Sequence, residues 1–573
     1  MSENFEVRLS QALEQHRAGR ADLAEPVYRQ LFEENPGNAE LNHLLGIIEL
    51  AKDRHDQAEV FIAQAIRRDE TQAKYHNTLG ALLRRTGRDR EARDAYLKAL
   101  QIEPGFIDAL HNLGEVYRAL GEPQKAESCF REILEAAPDN VDALNNLAAL
   151  GMASHRYEAA LTHIRRADAL APGNPTILIN LLKCLERMNL LEEASEVIFR
   201  LEASGSDIAR GRLLTAQVER RTGREAQAAG SLRRLLQNSP NDNITQHALF
   251  ELGLILDRTD HAEEAFSIFA QANALQKKRW SAASIDPERY LSHVARSRNW
   301  ATPERLKIWD DGLSNDLDDD SPAPVFLLGF PRSGVTLTEQ VLRAHPGIVT
   351  SGEASPLEKL KNHLHQEGNY PECLESAGPD DVKKWRRLYQ DYSRDIFGQE
   401  LEGRLSIDKM PLNIAELALI NRIFPKAKII TAVRDPRDVC LSCLIQDFQP
   451  GDAMANFNDL QSTVRLYTLI MEFWQHCRQN MALAWCEFKY EDLVADYQAC
   501  TRQILDFIDM PWSDDIDQYR AGVLARPITT TSFRDMVNPM YSRGVGRWRA
   551  YRQHLEPVYQ QLEPFIRDFD YGE

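Results

Sequence analysis

Residues 325–343 read VFLLGFPRSGVTLTEQVLR. An apolar run, Val325–Leu328, stops at Gly329; a compact loop follows, and a helix-like pattern begins near Thr336. Glycine permits tight turns and close approach of the backbone to a ligand, and a helix N-terminus presents free N–H groups to an anion. Arg332 adds a planar, multi-donor cation suited to phosphate or sulfate oxygens. A second basic site lies in residues 428–447, KIITAVRDPRDVCLSCLIQD. Lys428–Val433 has the β-rich apolar character of a buried parallel strand. That puts Arg434 at a strand's carboxyl end, where open α/β sheets place ligands. Ser442 lies eight residues beyond Arg434, on the helix that starts at Pro436. The chemistry these residues suit is the binding of a phosphate-like group.

In the nucleotide P-loop a Lys follows the second glycine of G-x-x-x-x-G-K-[ST]. Here the loop runs Gly329-Phe330-Pro331-Arg332-Ser333-Gly334-Val335-Thr336, with Val335 at the Lys position. That disfavours an ordinary Mg-ATP kinase or ATPase. G-x-P-R-S-G-x-T-L resembles instead the 5′-phosphosulfate loop of sulfotransferases that use 3′-phosphoadenosine 5′-phosphosulfate (PAPS), with Val335 replacing the first Thr of the usual S-G-T-T. The resemblance implies that Pro331, Arg332, Ser333, Gly334, Val335, Thr336 and Leu337 hold the phosphosulfate, and that Arg434 and Ser442 share the 3′-phosphate. Asp408-Lys409-Met410-Pro411 resembles the N-K-[DM]-P segment of protein-tyrosine sulfotransferases and their bacterial relatives, whose Lys contacts the bridging and leaving oxygens. Phe488-Lys489-Tyr490-Glu491-Asp492-Leu493 resembles the [HR]-Y-E-D-L segment, which puts Tyr490 near the nucleotide. Residues 541–548, YSRGVGRW, resemble the C-terminal loop of the family, with Arg543 near the 3′-phosphate. Four hydroxyl residues, Thr529–Ser532, fall where the family has a hydroxyl reaching the phosphosulfate, and Thr531 stands for them.

Sulfuryl transfer resembles phosphoryl transfer, in which positioning and electrostatics supply most of the acceleration. The expected catalytic set is Arg332, Lys409 and Glu353. Glu353 is the expected base because Gly352-Glu353-Ala354 stands where tyrosylprotein sulfotransferases have G-E-E, although only one acidic residue remains. His345, the usual alternative in cytosolic sulfotransferases, sits in a His-Pro pair that turns the chain after the helix. The resemblance implies PAPS as donor, adenosine 3′,5′-bisphosphate as product and no metal, Arg and Lys taking the role Mg²⁺ plays for kinases. It leans to a protein or peptide tyrosine as acceptor. A carbohydrate or small-molecule hydroxyl stays open, and so does a catalytically inactive adaptor.

These loops need an α/β scaffold, and another architecture precedes it. Gly46, Gly80 and Gly114 are 34 residues apart; Ala24, Ala58, Ala92, Ala126, Ala160, Ala194 and Ala228 keep the same period, and Pro36, Pro104, Pro138, Pro172 and Pro240 fall at its multiples. The pattern resembles tetratricopeptide repeats, antiparallel helix pairs in which small residues let the two helices pack closely and proline ends the second. Such arrays expose a groove that commonly binds extended peptides. Asn77, Asn112, Asn145, Asn146 and Asn180 on the first helices could clamp a peptide backbone there, or form solvated polar faces. The expected organisation is therefore multidomain: an all-α tetratricopeptide solenoid of about eight repeats (1–275), a helical connector and acidic linker (276–322), and an α/β P-loop-like sulfotransferase domain with a parallel sheet (323–573). A homodimer through the array is compatible with this reading.

A net charge of −18 argues against nucleic acid or an anionic membrane as the main partner. No apolar run reaches membrane-spanning length, and Met1–Arg17 is too polar for a secretory signal. Eight scattered Cys make no disulfide framework. Cys440 and Cys443 form a C-x-x-C with no second pair or nearby His to complete a zinc set. The expectation is a cytoplasmic protein.

Overall fold

The computed structural model describes residues 2–206, 208–238, 240–306, 323–352, 354–368, 370–524 and 544–572. Among these, sixteen helices follow one another between Ser2 and Ala282, and seven successive pairs of them pack helix against helix. The 34-residue glycines explain the closeness of the pairs. A Cβ on Gly46, Gly80 or Gly114 would come 2.6, 2.5 or 2.7 Å from Ile62, Tyr96 or Phe130, always the residue sixteen positions on. Gly253, out of step with the series, repeats the arrangement against Phe269 at 2.6 Å. The prolines follow the ends of second helices, as Pro36 follows Ala21–Glu34 and Pro104 follows Asp89–Ile102.

The chain divides into two compact units near residue 206, inside the array rather than at its end. The first unit contains the first twelve helices, from Ser2 to Ala203, apart from residues 187–191. The second contains the last two pairs, Ala209–Arg221 with Glu225–Gln237 and Asp242–Arg258 with Ala262–Ala282, together with everything C-terminal to them. The array thus ends as part of the α/β unit. Trp280 and Trp300 are buried, and the connector helix Pro287–Trp300 packs as a helix. The acidic stretch Asp316–Pro322 lies outside the described residues.

The α/β unit is built on five parallel strands: β1 Val325–Gly329, β2 Ile348–Thr350, β3 Leu405–Lys409, β4 Lys428–Val433 and β5 Ala484–Lys489. Their order is β2-β3-β1-β4-β5. Every residue of β1 is buried, as in a strand covered on both faces. The register pairs Leu327 with Lys409 on one side, and Gly329 with Ala432 on the other. The carboxyl ends of the three central strands therefore lie side by side, where the order reverses around β1. From those ends issue the loop carrying Arg332, the turn after Lys409 and the Arg434 turn.

Candidate donor site

Beyond β1 the backbone turns through two left-handed residues, Arg332 at φ 71° and Gly334 at φ 104°. Left-handed backbone costs a non-glycine residue on the order of 1–2 kcal/mol, and such strain tends to collect at functional sites. Gly334 is required for space as well, since a Cβ there would stand 2.7 Å from the Tyr490 ring. The helix Val335–Arg343 follows, with Gly334, which has no side chain to cap it, at its N-cap. Val335 is buried and leaves the backbone donors of the turn in place, with Thr336 and Leu337 continuing the helix.

The structure brings the expected anion-binding residues together. Arg332 Nε donates to Ser442 Oγ at 3.0 Å, and Arg434 Nη1 to the Arg332 carbonyl at 2.9 Å. Arg434 Nη2 donates to the Gly544 carbonyl, and the guanidinium lies 4.5 Å over the Tyr490 ring. Cys443 Sγ donates to the Pro331 carbonyl at 3.4 Å. Burial pushes the Cys443 thiol up to about 12 and Cys440 well above its ordinary value, so both pack as apolar side chains. Two buried polar atoms in this cluster have no partner among the described residues: Ser333 Oγ and Arg434 Nε. A hydroxyl and a cationic N–H left unpaired are costly unless a ligand completes them, and both suit phosphate or sulfate oxygens.

Lys409 ends β3 and is only 1% exposed. Its ammonium lies 3.1 Å from Glu339 Oε2, a carboxylate of the helix after the loop that is itself 1% exposed and accepts from Thr350 Oγ1 at 2.9 Å. The Lys409 backbone N–H donates to Ser351 Oγ at 2.8 Å, which ties the end of β3 to the segment after β2. Glu353, the expected base, lies two residues further on and outside the described residues, as do Thr531 and Arg543. His345 holds the turn: Nδ1 accepts from the Gly347 N–H at 3.0 Å and Nε2 faces the Pro511 carbonyl at 3.0 Å.

Asp438 was not among the sequence expectations, yet it organises the C-terminal loop. Its two oxygens accept from the Gly546 N–H at 2.6 Å and the Trp548 N–H at 2.8 Å. Arg437 clamps Asp435 through two side-chain bonds and stacks 3.8 Å from the Trp548 ring. Burial pushes Asp438 up to about 6, against the pull of Arg434 and the two N–H donors. The ordinary value is ~3.9, so Asp438's contribution to stability is present below that value and lost as pH rises through about 6. The loop follows the opposite sign: a proton taken up as pH falls removes one of its acceptors. Tryptophan fluorescence of the ligand-free protein is expected to change with a midpoint near pH 6. The same titration of Asp438→Asn should lack that step, and a step kept in the variant would remove Asp438 as its source.

Residues 324–514 match the model of the sulfotransferase family, and residues 15–82, 73–106, 111–175 and 152–218 match tetratricopeptide-repeat models. An uncharacterized protein of Aquifex aeolicus is 26% identical over 408 residues, covering 68% of this chain and 50% of its own length. Protein-tyrosine sulfotransferase 1 of Danio rerio is 24% identical over 239 residues, covering 39% of this chain and 65% of itself. The Drosophila melanogaster protein-tyrosine sulfotransferase is 27% identical over 237 residues, 39% of this chain and 44% of its own. The chain thus spans roughly half to two thirds of the length of these relatives. A tetratricopeptide repeat protein from Parabacteroides merdae, 18% identical, aligns over 44% of this chain and 99% of its own with a TM-score of 0.36. The chain carries tetratricopeptide repeats followed by a sulfotransferase-family domain.

Proposed function

We propose that the protein transfers a sulfuryl group from PAPS to an acceptor hydroxyl, with a peptide or protein tyrosine as the acceptor. The observation that carries the donor assignment is the cluster of Arg332, Ser442, Arg434 and Tyr490 with two buried polar atoms, Ser333 Oγ and Arg434 Nε, that have no partner among the described residues. Bound PAPS would supply an activated sulfuryl group, with adenosine 3′,5′-bisphosphate as the product. The loop N–H groups of residues 331–337 and the Arg332 guanidinium would bind the 5′ end. Arg434 and Ser442 would bind the 3′-phosphate, with Arg543 and Tyr490 beside them and Thr531 towards the phosphosulfate. Lys409 would offset negative charge as the acceptor attacks, and Glu353 would take the proton of its hydroxyl. A phenol suits such a base, its pKa of ~10 lying well below that of an alcohol.

The tyrosine acceptor is supported by the protein-tyrosine sulfotransferases among the relatives and by the array. In the first unit Asn112 Nδ2 donates to Asn77 Oδ1 at 3.1 Å and Asn180 Nδ2 to Asn145 Oδ1 at 2.8 Å, so the amides run in pairs from repeat to repeat. A cavity of about 300 Å³ opens beside Asn77, His111, Asn112 and Asn140. An extended peptide segment is the ligand these amides suit. The eight cysteines, all unpaired, fit a reducing compartment such as the cytoplasm.

The test is calorimetric titration with adenosine 3′,5′-bisphosphate against ADP and ATP. Binding of the bisphosphate at least tenfold tighter than either nucleotide is expected, that factor being ~1.4 kcal/mol. Equal affinities for ADP and the bisphosphate would remove the PAPS assignment.

A further inference from the structure

The last repeat reaches the donor site through the C-terminal loop. Asp257 stands near the end of the helix Asp242–Arg258, the first helix of that repeat. Its Oδ1 accepts from Arg547 Nε at 3.0 Å and from the Tyr551 hydroxyl at 2.7 Å, while Oδ2 lies 2.6 Å from Arg547 Nη2. Arg547 sits between Gly546 and Trp548, the two residues whose amides Asp438 holds. Three residues before it, Gly544 offers its carbonyl to Arg434. The second helix of the same repeat braces the other wall, where Asn273 Nδ2 donates at 2.8 Å to the carbonyl of Leu444, last residue of the helix that carries Ser442. The ring of Phe266 stacks on His554 at 3.8 Å, beyond the loop.

We infer that the last helix pair of the array is a structural part of the nucleotide site, with Asp257 as a positioning residue that acts through Arg547; this rests on the PAPS reading above. A bidentate carboxylate–guanidinium pair fixes direction as well as distance, and Arg547 is fixed within a stretch whose backbone is tied to Asp438 and Arg434. Release of Arg547 lets that stretch drift from Arg434, and displacements near 1 Å are enough to cost binding and rate. A repeat that only decorated the enzyme would tolerate the loss.

The experiment uses the full chain with three changes: Asp257→Asn, Arg547→Ala and, as control, Glu251→Gln. Glu251 lies on the same helix as Asp257 and pairs with Arg220 at 2.8 Å, both buried, within the array itself. Asp257→Asn is expected to raise the dissociation constant for adenosine 3′,5′-bisphosphate about tenfold, ~1.4 kcal/mol, and to speed amide exchange over residues 544–552. Arg547→Ala should do the same, with no further loss in the double variant, since the two act as one unit. Glu251→Gln is expected to lower melting temperature without moving either reading. Wild-type affinity and wild-type exchange in a folded Asp257→Asn would overturn the inference alone. A wild-type protein that does not bind the bisphosphate would overturn the PAPS reading and the nucleotide role of Asp257 with it.

Discussion

Arg434→Ala is expected to raise the dissociation constant for adenosine 3′,5′-bisphosphate about a hundredfold or more, ~2.7 kcal/mol. The residue acts at three points at once. It lies at the carboxyl end of β4, so its guanidinium projects into the crevice where the sheet order reverses. It donates to the carbonyls of Arg332 and Gly544, and so joins the phosphosulfate loop to the C-terminal loop. Its Nε, buried and without a partner among the described residues, is a donor available to a ligand. Charge-assisted hydrogen bonds contribute ~1.5–3 kcal/mol each, and alanine removes the ligand donor together with both ties. Arg434→Lys keeps the charge but not the fork, and about a tenfold loss is expected. Calorimetry measures both, with circular dichroism to verify the fold. A folded Arg434→Ala that binds as wild type would take Arg434 out of the site.

Much of this site was legible because its parts are local. The loop from Gly329 to Thr336 carries turn, charge and helix start within eight residues, and the run Lys428–Val433 has the bounds of β4 itself. The array was legible for a similar reason: its glycines report one packing contact, repeated sixteen residues on. Strand β2 was not, because three residues carry no periodicity of their own. Asp408 and Lys409 are charged residues of a kind that buried strands seldom hold, yet the structure continues β3 through both, their charges offset by tertiary partners.

The residues missed have partners far away in sequence. Glu339 reads as an ordinary polar position on an amphipathic helix until the β1–β3 register brings Lys409 over it. Asp257 meets Arg547 across 290 residues. The signal that was available is indirect: each is a carboxylate at an otherwise apolar or packed helix position, and a buried carboxylate must find a cation or donors. The division near residue 206 was hidden because the repeat period continues across it.

The pair Lys409–Glu339 permits a separation of chemistry from folding that single substitutions cannot give. Lys409→Met leaves the buried Glu339 carboxylate without its lysine, and breaking a buried ion pair in this way costs about 3–5 kcal/mol. The same change removes the cation proposed to offset transition-state charge, for which a loss of about 10²–10³ in kcat is expected. A single variant would confound the two effects. In Lys409→Met/Glu339→Gln no charge remains to be paired, the glutamine carbonyl still accepts from Thr350 Oγ1, and stability should return to within ~1 kcal/mol of the wild type, as replacement of whole buried pairs by neutral groups commonly allows. Turnover should not return with it. Denaturant unfolding and steady-state sulfation of a tyrosine peptide measure the two quantities on the same preparations. If the double variant recovered both stability and turnover, Lys409 would be only the counter-ion of Glu339, and charge stabilisation would have to come from Arg332.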